Sequence, residues 1–259
     1  MPYPPEGLPG GTSLADLAAR TFADGFTMAF QPIYDVTTGV VFAQEALVRS
    51  AAGGPAAEVM DHVTSRTRYS FDRRCRIKAI AMATALGLES RLCVNCMLNA
   101  VMDPATCIRA TVIAADHYGF DVGRMILEFP ETEYLRDPQH LRAINASYRR
   151  AGFLTAIDDF GQGFAGLGAL CDMQVDVIKL AMTLVRGIDT DPSRQRIVRS
   201  IAGLCRELGT SLVVKGVETR GECAVLRHLG VTLFQGYYLA HPLLEGLRTA
   251  PRVPLPMAA

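Results

Sequence analysis

Glu45, Asn95, Glu128, Asp158 and Asp159 each stand at or near the end of a short apolar run. Four carboxylates and an amide gathered at one rim would form an oxygen cage for a hard divalent cation such as Mg²⁺ or Mn²⁺. Two such ions held close together acidify a water and neutralise phosphate oxygens, which is what phosphodiester hydrolysis at neutral pH requires. Lys179 and Gln235 occupy further run ends, and Lys215 follows the run 212–214. An ammonium admitted to the cage would repel the cation that the carboxylates attract. Alone, an Asp-Asp pair is usually a solvated turn and a lysine usually lies on the surface; the case rests on their conjunction.

The runs that must position these residues are 27–33, 40–47, 92–95, 125–129, 154–157, 177–180, 212–214 and 231–234. Most are interleaved with segments of helical period, which points to an α/β fold, either a barrel or a doubly wound sheet. Asn95, Glu128, Asp158, Asp159, Lys179 and Gln235 fall at or just past C-terminal strand ends, the rim where a TIM-like (β/α)8 barrel collects its functional groups. Glu45 fits less simply, because it lies inside its run. The first two runs are separated only by a turn around Thr37-Thr38-Gly39, so they are expected to pair as a hairpin, an irregular first strand pair for such a barrel.

Helix punctuation supports the same order. Asp191-Pro192 reads as an N-cap and first helical position, with Ile197, Ile201, Leu204 and Leu208 as the apolar stripe and Gly209 as the stop. Thr219 and Glu222 have capping-box spacing ahead of a helix ending at Gly230, and Ser13 with Asp16 opens a first helix closed by Gly25.

The 259 residues, 49% of them apolar, suit one large domain over 12–250, between a Pro- and Gly-rich lead-in (1–11) and a short tail (251–259). Twenty-six basic and 26 acidic residues balance to zero, which argues against a broad DNA- or RNA-binding surface. No apolar stretch reaches the ~18–20 residues of a membrane span, and no signal peptide is read at the start. A cytoplasmic location is expected. The seven cysteines, an odd and scattered count, fit reduced thiols there. Cys93 and Cys96 form a lone C-x-x-C, but on a strand their side chains would face opposite ways, and no second pair completes a zinc site.

The tripeptide Glu45-Ala46-Leu47 carries little alone. With Val94-Asn95, Leu127-Glu128-x-x-Glu131, Asp158-Asp159-Phe160-Gly161-x-Gly163, Val177-Ile178-Lys179, Gly216-Val217-Glu218 and Gln235-Gly236-Tyr237-Tyr238 in that order, the chain resembles the EAL domain family of bacterial cyclic di-GMP phosphodiesterases. The match runs from about Phe26 to Leu243. The resemblance implies that Glu45, Asn95, Glu128 and Asp158 hold a first metal ion, and that Asp159 holds a second, which Asp158 helps to bridge. It places Lys179 beside the attacking water and scissile phosphate, with Gln235 near the water and metal. Leu47 and Arg49 would contact the ligand, Arg49 through a phosphate oxygen. Glu131 and Glu218 would steady the loop beginning at Asp158-Asp159.

The chain departs from that pattern at several positions. The family usually reads A-E-G-V-E where this chain has Val214-Lys215-Gly216-Val217-Glu218, so Lys215 replaces a glutamate tied to the second metal and proposed as a base. The lysine would have to swing outward or lose its proton for the site to work unchanged. Lys179 precedes Leu180-Ala181 instead of Ile-Asp, Pro130 replaces a threonine, and Gln162, Phe164, Ala165 and Gly166 replace hydroxyl-bearing loop residues. The resemblance therefore implies a degenerate EAL domain that binds cyclic di-GMP or a regulatory protein partner with little or no hydrolysis, using one Mg²⁺ or Mn²⁺ ion or none. An active phosphodiesterase yielding pGpG and a nucleotide-independent adaptor are the alternatives. The family implies homodimerisation, an expectation weakened by the altered loop after Asp159.

Overall fold

The computed structural model describes residues 25–97, 101, 103–133, 138–163 and 166–253. The helix expected from Ser13 and Asp16 lies outside the described residues.

The chain opens with a hairpin of β1 (Phe26–Asp35) and β2 (Val41–Ser50), in which Gln31 pairs with Glu45 and Phe26 with Ser50. Asp35 makes the turn: its carboxylate accepts the backbone N–H of Thr37 at 2.9 Å, and Gly39 takes a φ of 75°. From β2 onward the strands run parallel through β3 (Arg91–Asn95), β4 (Met125–Pro130), β5 (Leu154–Phe160), β6 (Val177–Leu180), β7 (Ser211–Val214) and β8 (Leu233–Phe234). β1 closes the ring, antiparallel to β2 on one side and to β8 on the other. A two-residue strand, β9 (Leu243–Leu244), adds to β1 at Ala29 and Phe30. The result is a closed eight-stranded α/β barrel of TIM type whose first strand is reversed, and β2 extends three residues beyond the expected 40–47.

The main helices, Arg68–Ala85, Pro104–Tyr118, Pro138–Arg150, Pro192–Leu208 and Arg220–His228, follow β2, β3, β4, β6 and β7 and cover the outside, and the shorter Gly166–Asp172 follows β5. Their starts are specified locally. Asp103 and Asp191 each accept two backbone N–H groups at a helix start with proline next in line, and Thr219 with Glu222 completes a reciprocal capping box. Gly209 ends its helix at φ 68°. The buried face of that helix differs from expectation. It is Val198, Ala202 and Cys205, with Ile201 alongside, while Ile197 and Leu208 are 47% and 52% exposed. The apolar residues outnumber the places facing the barrel, and geometry selects the set one step further round.

Two cores result. The larger lies between strands and helices; the smaller fills the barrel with Ile33, Ala43, Cys93, Ile126, Ala156, Val177, Val213 and Leu233, one residue from each of β1 to β8. Cys93 belongs to the inner core and Cys96 to the outer, so the two thiols do face opposite ways. All seven cysteines are free. Among the described residues no helix is long and apolar enough to cross a membrane.

Candidate functional site

Side chains on a strand repeat their direction every second residue, so the residue two places from each inner-core member stands one layer above it on the same face. Applied to the eight inner residues in turn, that rule yields Gln31, Glu45, Asn95, Glu128, Asp158, Lys179, Lys215 and Gln235. The step runs backward only on reversed β1. A dry apolar plug therefore carries a polar layer on its C-terminal side, and the strand pleat aims every member of that layer inward. Gln31 is the member that motif reading missed; the signal for it was its alternation with Ile33 opposite Glu45. Its amide donates to the Ala240 carbonyl at 3.1 Å.

The layer is knit by charge. Lys179 donates to Glu45 Oε2 at 2.7 Å and to both Glu128 oxygens at 2.7 and 2.9 Å, and lies 3.9 Å from Asp158. Gln235 donates to Glu45 Oε2 at 2.7 Å, and the Asn95 amide nitrogen lies 3.5 Å from Glu45 Oε1. Lys215 does not swing outward. Its Nζ reaches both oxygens of Asp158, at 2.7 and 2.9 Å, and Asp159 Oδ1 at 2.8 Å.

These contacts set the protonation states. Burial and Lys179 would both lower the Lys215 pKa, but Asp158, Glu45 and Asp159 outweigh them and raise it, so the lysine keeps its proton. Burial likewise opposes charge on Lys179, and Glu128, Glu45 and Asp158 hold it well above its ordinary value. Burial would raise the Glu45 carboxyl, but Lys179 and Lys215, helped by Gln235, bring it down to about 2. Burial dominates at Glu128: with Glu45 and Asp158 adding to it against Lys179, that carboxyl is pushed up to about 8. Burial also raises the Cys93 thiol beneath, with Glu128 adding to the effect, which keeps that sulfur protonated.

The loop after β5 carries Asp159 in the left-handed region, at φ 53°, where the β5–β6 register slips between Ile157 and Phe160. Glu131 fixes that turn, its Oε2 accepting the backbone N–H of Gly161 at 2.9 Å and of Gly163 at 2.8 Å. Glu218 takes a different place from the one expected. Its carboxylate pairs with Arg186, and its backbone N–H is held by Glu222 at 2.8 Å, so it braces the segment after β7. Leu47 and Arg49 share the inward face of β2 with Glu45, one and two layers nearer the rim. Both are half-buried, and Arg49 donates locally to the Val48 carbonyl at 2.7 Å.

The model of the EAL domain matches residues 15–242. The chain belongs to the EAL family. It is 43% identical to a standalone EAL protein from Vibrio cholerae solved in its cyclic di-GMP-bound form, with a TM-score of 0.84 over 87% of this chain and 95% of that one. BlrP1 of Klebsiella pneumoniae, solved with manganese and cyclic di-GMP, is 31% identical with a TM-score of 0.84, over 95% of this chain and 60% of that one. A cyclic di-GMP phosphodiesterase of Pseudomonas aeruginosa is 28% identical over 231 residues, which is 85% of this chain and 39% of the relative. The chain thus spans about two fifths of that relative's length.

Glu45, Glu128 and Asp158 are buried and offer oxygens all within 4.8 Å of one another, a set that fits one hard divalent ion. The Asn95 amide is beside them and can present its oxygen in the other amide orientation. The position between Asp158 and Asp159 holds the Lys215 ammonium, which contacts both oxygens of Asp158 and one of Asp159.

Proposed function

We propose that this EAL domain binds cyclic di-GMP across its C-terminal rim with little or no hydrolysis. The observation that carries the reading is the Lys215 ammonium bound to Asp158 and Asp159 in a domain whose other site residues are present. Arg49, on the inward face of β2 near the mouth, supplies a guanidinium suited to a phosphate oxygen. Gln235 and Lys179 hold Glu45, and Glu131 holds the turn that presents Asp159. A divalent ion on Glu45, Glu128 and Asp158 would supply charge neutralisation at the phosphate. Lys215, protonated, has no lone pair with which to take a proton from water, and in the family pattern a glutamate stands there. Likeness to domains solved with cyclic di-GMP supports the choice of ligand.

A second reading, a slow phosphodiesterase forming pGpG, is favoured by the intact buried set of Glu45, Glu128, Asp158 and Lys179. Calorimetric titration with cyclic di-GMP, alongside chromatography for pGpG in Mg²⁺ and in Mn²⁺, separates the two. Saturable binding that weakens in Arg49→Ala, with no pGpG, is the expected result. Metal-dependent pGpG that disappears in Glu45→Ala would make the protein an enzyme. Absence of binding at millimolar nucleotide would overturn both readings and leave a protein-interaction role.

A further inference from the structure

We infer that Lys215 is a tethered substitute for the second cation, so that this EAL centre takes one divalent ion where the family pattern provides for two. The inference rests on reading the rim as a cation site and is independent of whether cyclic di-GMP is hydrolysed.

Position comes first. A single ammonium makes three contacts, at 2.7, 2.9 and 2.8 Å, to two carboxylates that are adjacent in sequence and splayed by the turn at Asp159. Bridging Asp158 to Asp159 is the task that the resemblance assigns to the second metal. An ion entering there would compete with the ammonium for the same oxygens and would sit against its charge.

The count of charges agrees. Glu45, Glu128, Asp158 and Asp159 face Lys179 and Lys215, four formal negative charges against two positive. With every carboxylate counted in the ionised form that a bound ion requires, two negative charges remain, matching one divalent ion. With the family's glutamate at 215 the same set would hold five carboxylates against one lysine, leaving four charges and room for two ions. Lys179 is common to both patterns, so the change in count belongs to Lys215.

The lysine is also held in place. It stands two residues beyond Val213 of the inner core, so the strand pleat turns it inward. Its backbone N–H donates to the Leu180 carbonyl at 3.3 Å, and that of Val217 to the Gln235 carbonyl at 3.1 Å. Gly216 between them adopts φ 70°, and a Cβ there would meet the Met182 side chain at 2.4 Å. Gly236 packs so closely that a Cβ would lie 2.1 Å from the Val217 carbonyl oxygen. The backbone around Lys215 is thereby clamped from two sides, and its side chain is only 19% exposed.

The test is the stoichiometry and magnetic state of bound Mn²⁺. Equilibrium dialysis with elemental analysis should find one ion per unaltered chain, with the six-line electron paramagnetic resonance signal of an isolated ion. Lys215→Glu should bind two, with the six-line signal lost to coupling between neighbouring ions. Lys215→Met, of similar length and uncharged, should also admit a second ion, more weakly than Lys215→Glu. Two ions on the unaltered protein, or none, would overturn the inference whatever the variants do. One ion on all three proteins would overturn it as well, by showing that something other than the ammonium excludes the second. Titrating the same samples with cyclic di-GMP separates the claims: one ion without nucleotide binding sinks the proposed function alone, and two ions with nucleotide binding sinks this inference alone.

Discussion

Glu128 is fully buried, pairs with Lys179 and lies close to Glu45 and Asp158, and its carboxyl is pushed from an ordinary 4.5 up to about 8. Between those values the folded, ion-free chain keeps a proton that the unfolded chain sheds. Its stability therefore falls as pH rises through that window. A divalent ion must displace the same proton, so ion affinity should climb with pH up to about 8 and level off above it. Calorimetry at pH 7 in buffers of differing ionisation enthalpy should show roughly one proton released per ion bound; no release, with affinity flat in pH, would refute this. Lys179 is the counterpart. Lys179→Met leaves Glu45 and Glu128 buried without their cation and should cost about 3–5 kcal/mol in denaturant unfolding, whereas a loss below about 1 kcal/mol would place the pair among surface-like contacts. The identities of these residues were legible in sequence because their order is distinctive. Their partners were not: which carboxylate Lys215 meets, and that Glu218 turns to Arg186, depends on neighbours far away in the chain.

At the scale of elements, local chemistry was readable and orientation was not. The aspartate before Pro192 and the Thr219–Glu222 pair cap helices as their spacing predicts, since a cap involves only residues a few positions apart. Asp191→Ala should therefore cost about 1 kcal/mol of stability, measured by denaturant unfolding, and leave the polar layer untouched. No change would mean that the two N–H groups of Ser193 and Arg194 find water at no cost. The face of that same helix was misjudged. Ile197, Ile201, Leu204 and Leu208 have helical spacing, but the barrel selects Val198, Ala202 and Cys205, because the contact depends on how the helix rolls against strands it does not adjoin in sequence. Glu45 was also awkward to place until β2 proved longer than its apolar run, which puts that residue level with Cys93 and below the rim.

For the molecule as a whole, barrel closure turns eight separate alternations into one layered object. The plug of small and branched residues, from Ala43 and Ala156 to Ile33 and Ile126, keeps water from beneath the charged layer, so ion pairs that would be weak at a surface act in a low-dielectric setting. Six of the seven cysteines are buried and only Cys171 is exposed. In the folded, reduced protein a thiol reagent should accordingly react fast with one group and with all seven only after denaturation; several fast thiols would contradict the packing of both cores. The barrel class followed from the strand-end polar residues, whereas Gln31 escaped notice because its strand runs against the others and puts its site residue before the apolar one.

The reversal of β1 has a geographical consequence. In a barrel of eight parallel strands the chain enters from the floor, away from the mouth. Here Phe26 pairs with Ser50, so the polypeptide enters at the rim that carries the polar layer and runs downward before turning back. Gly25, whose carbonyl accepts the Ala51 N–H at 3.2 Å, thus stands at the doorway above the polar layer, where the first residue of an all-parallel barrel would stand beneath it.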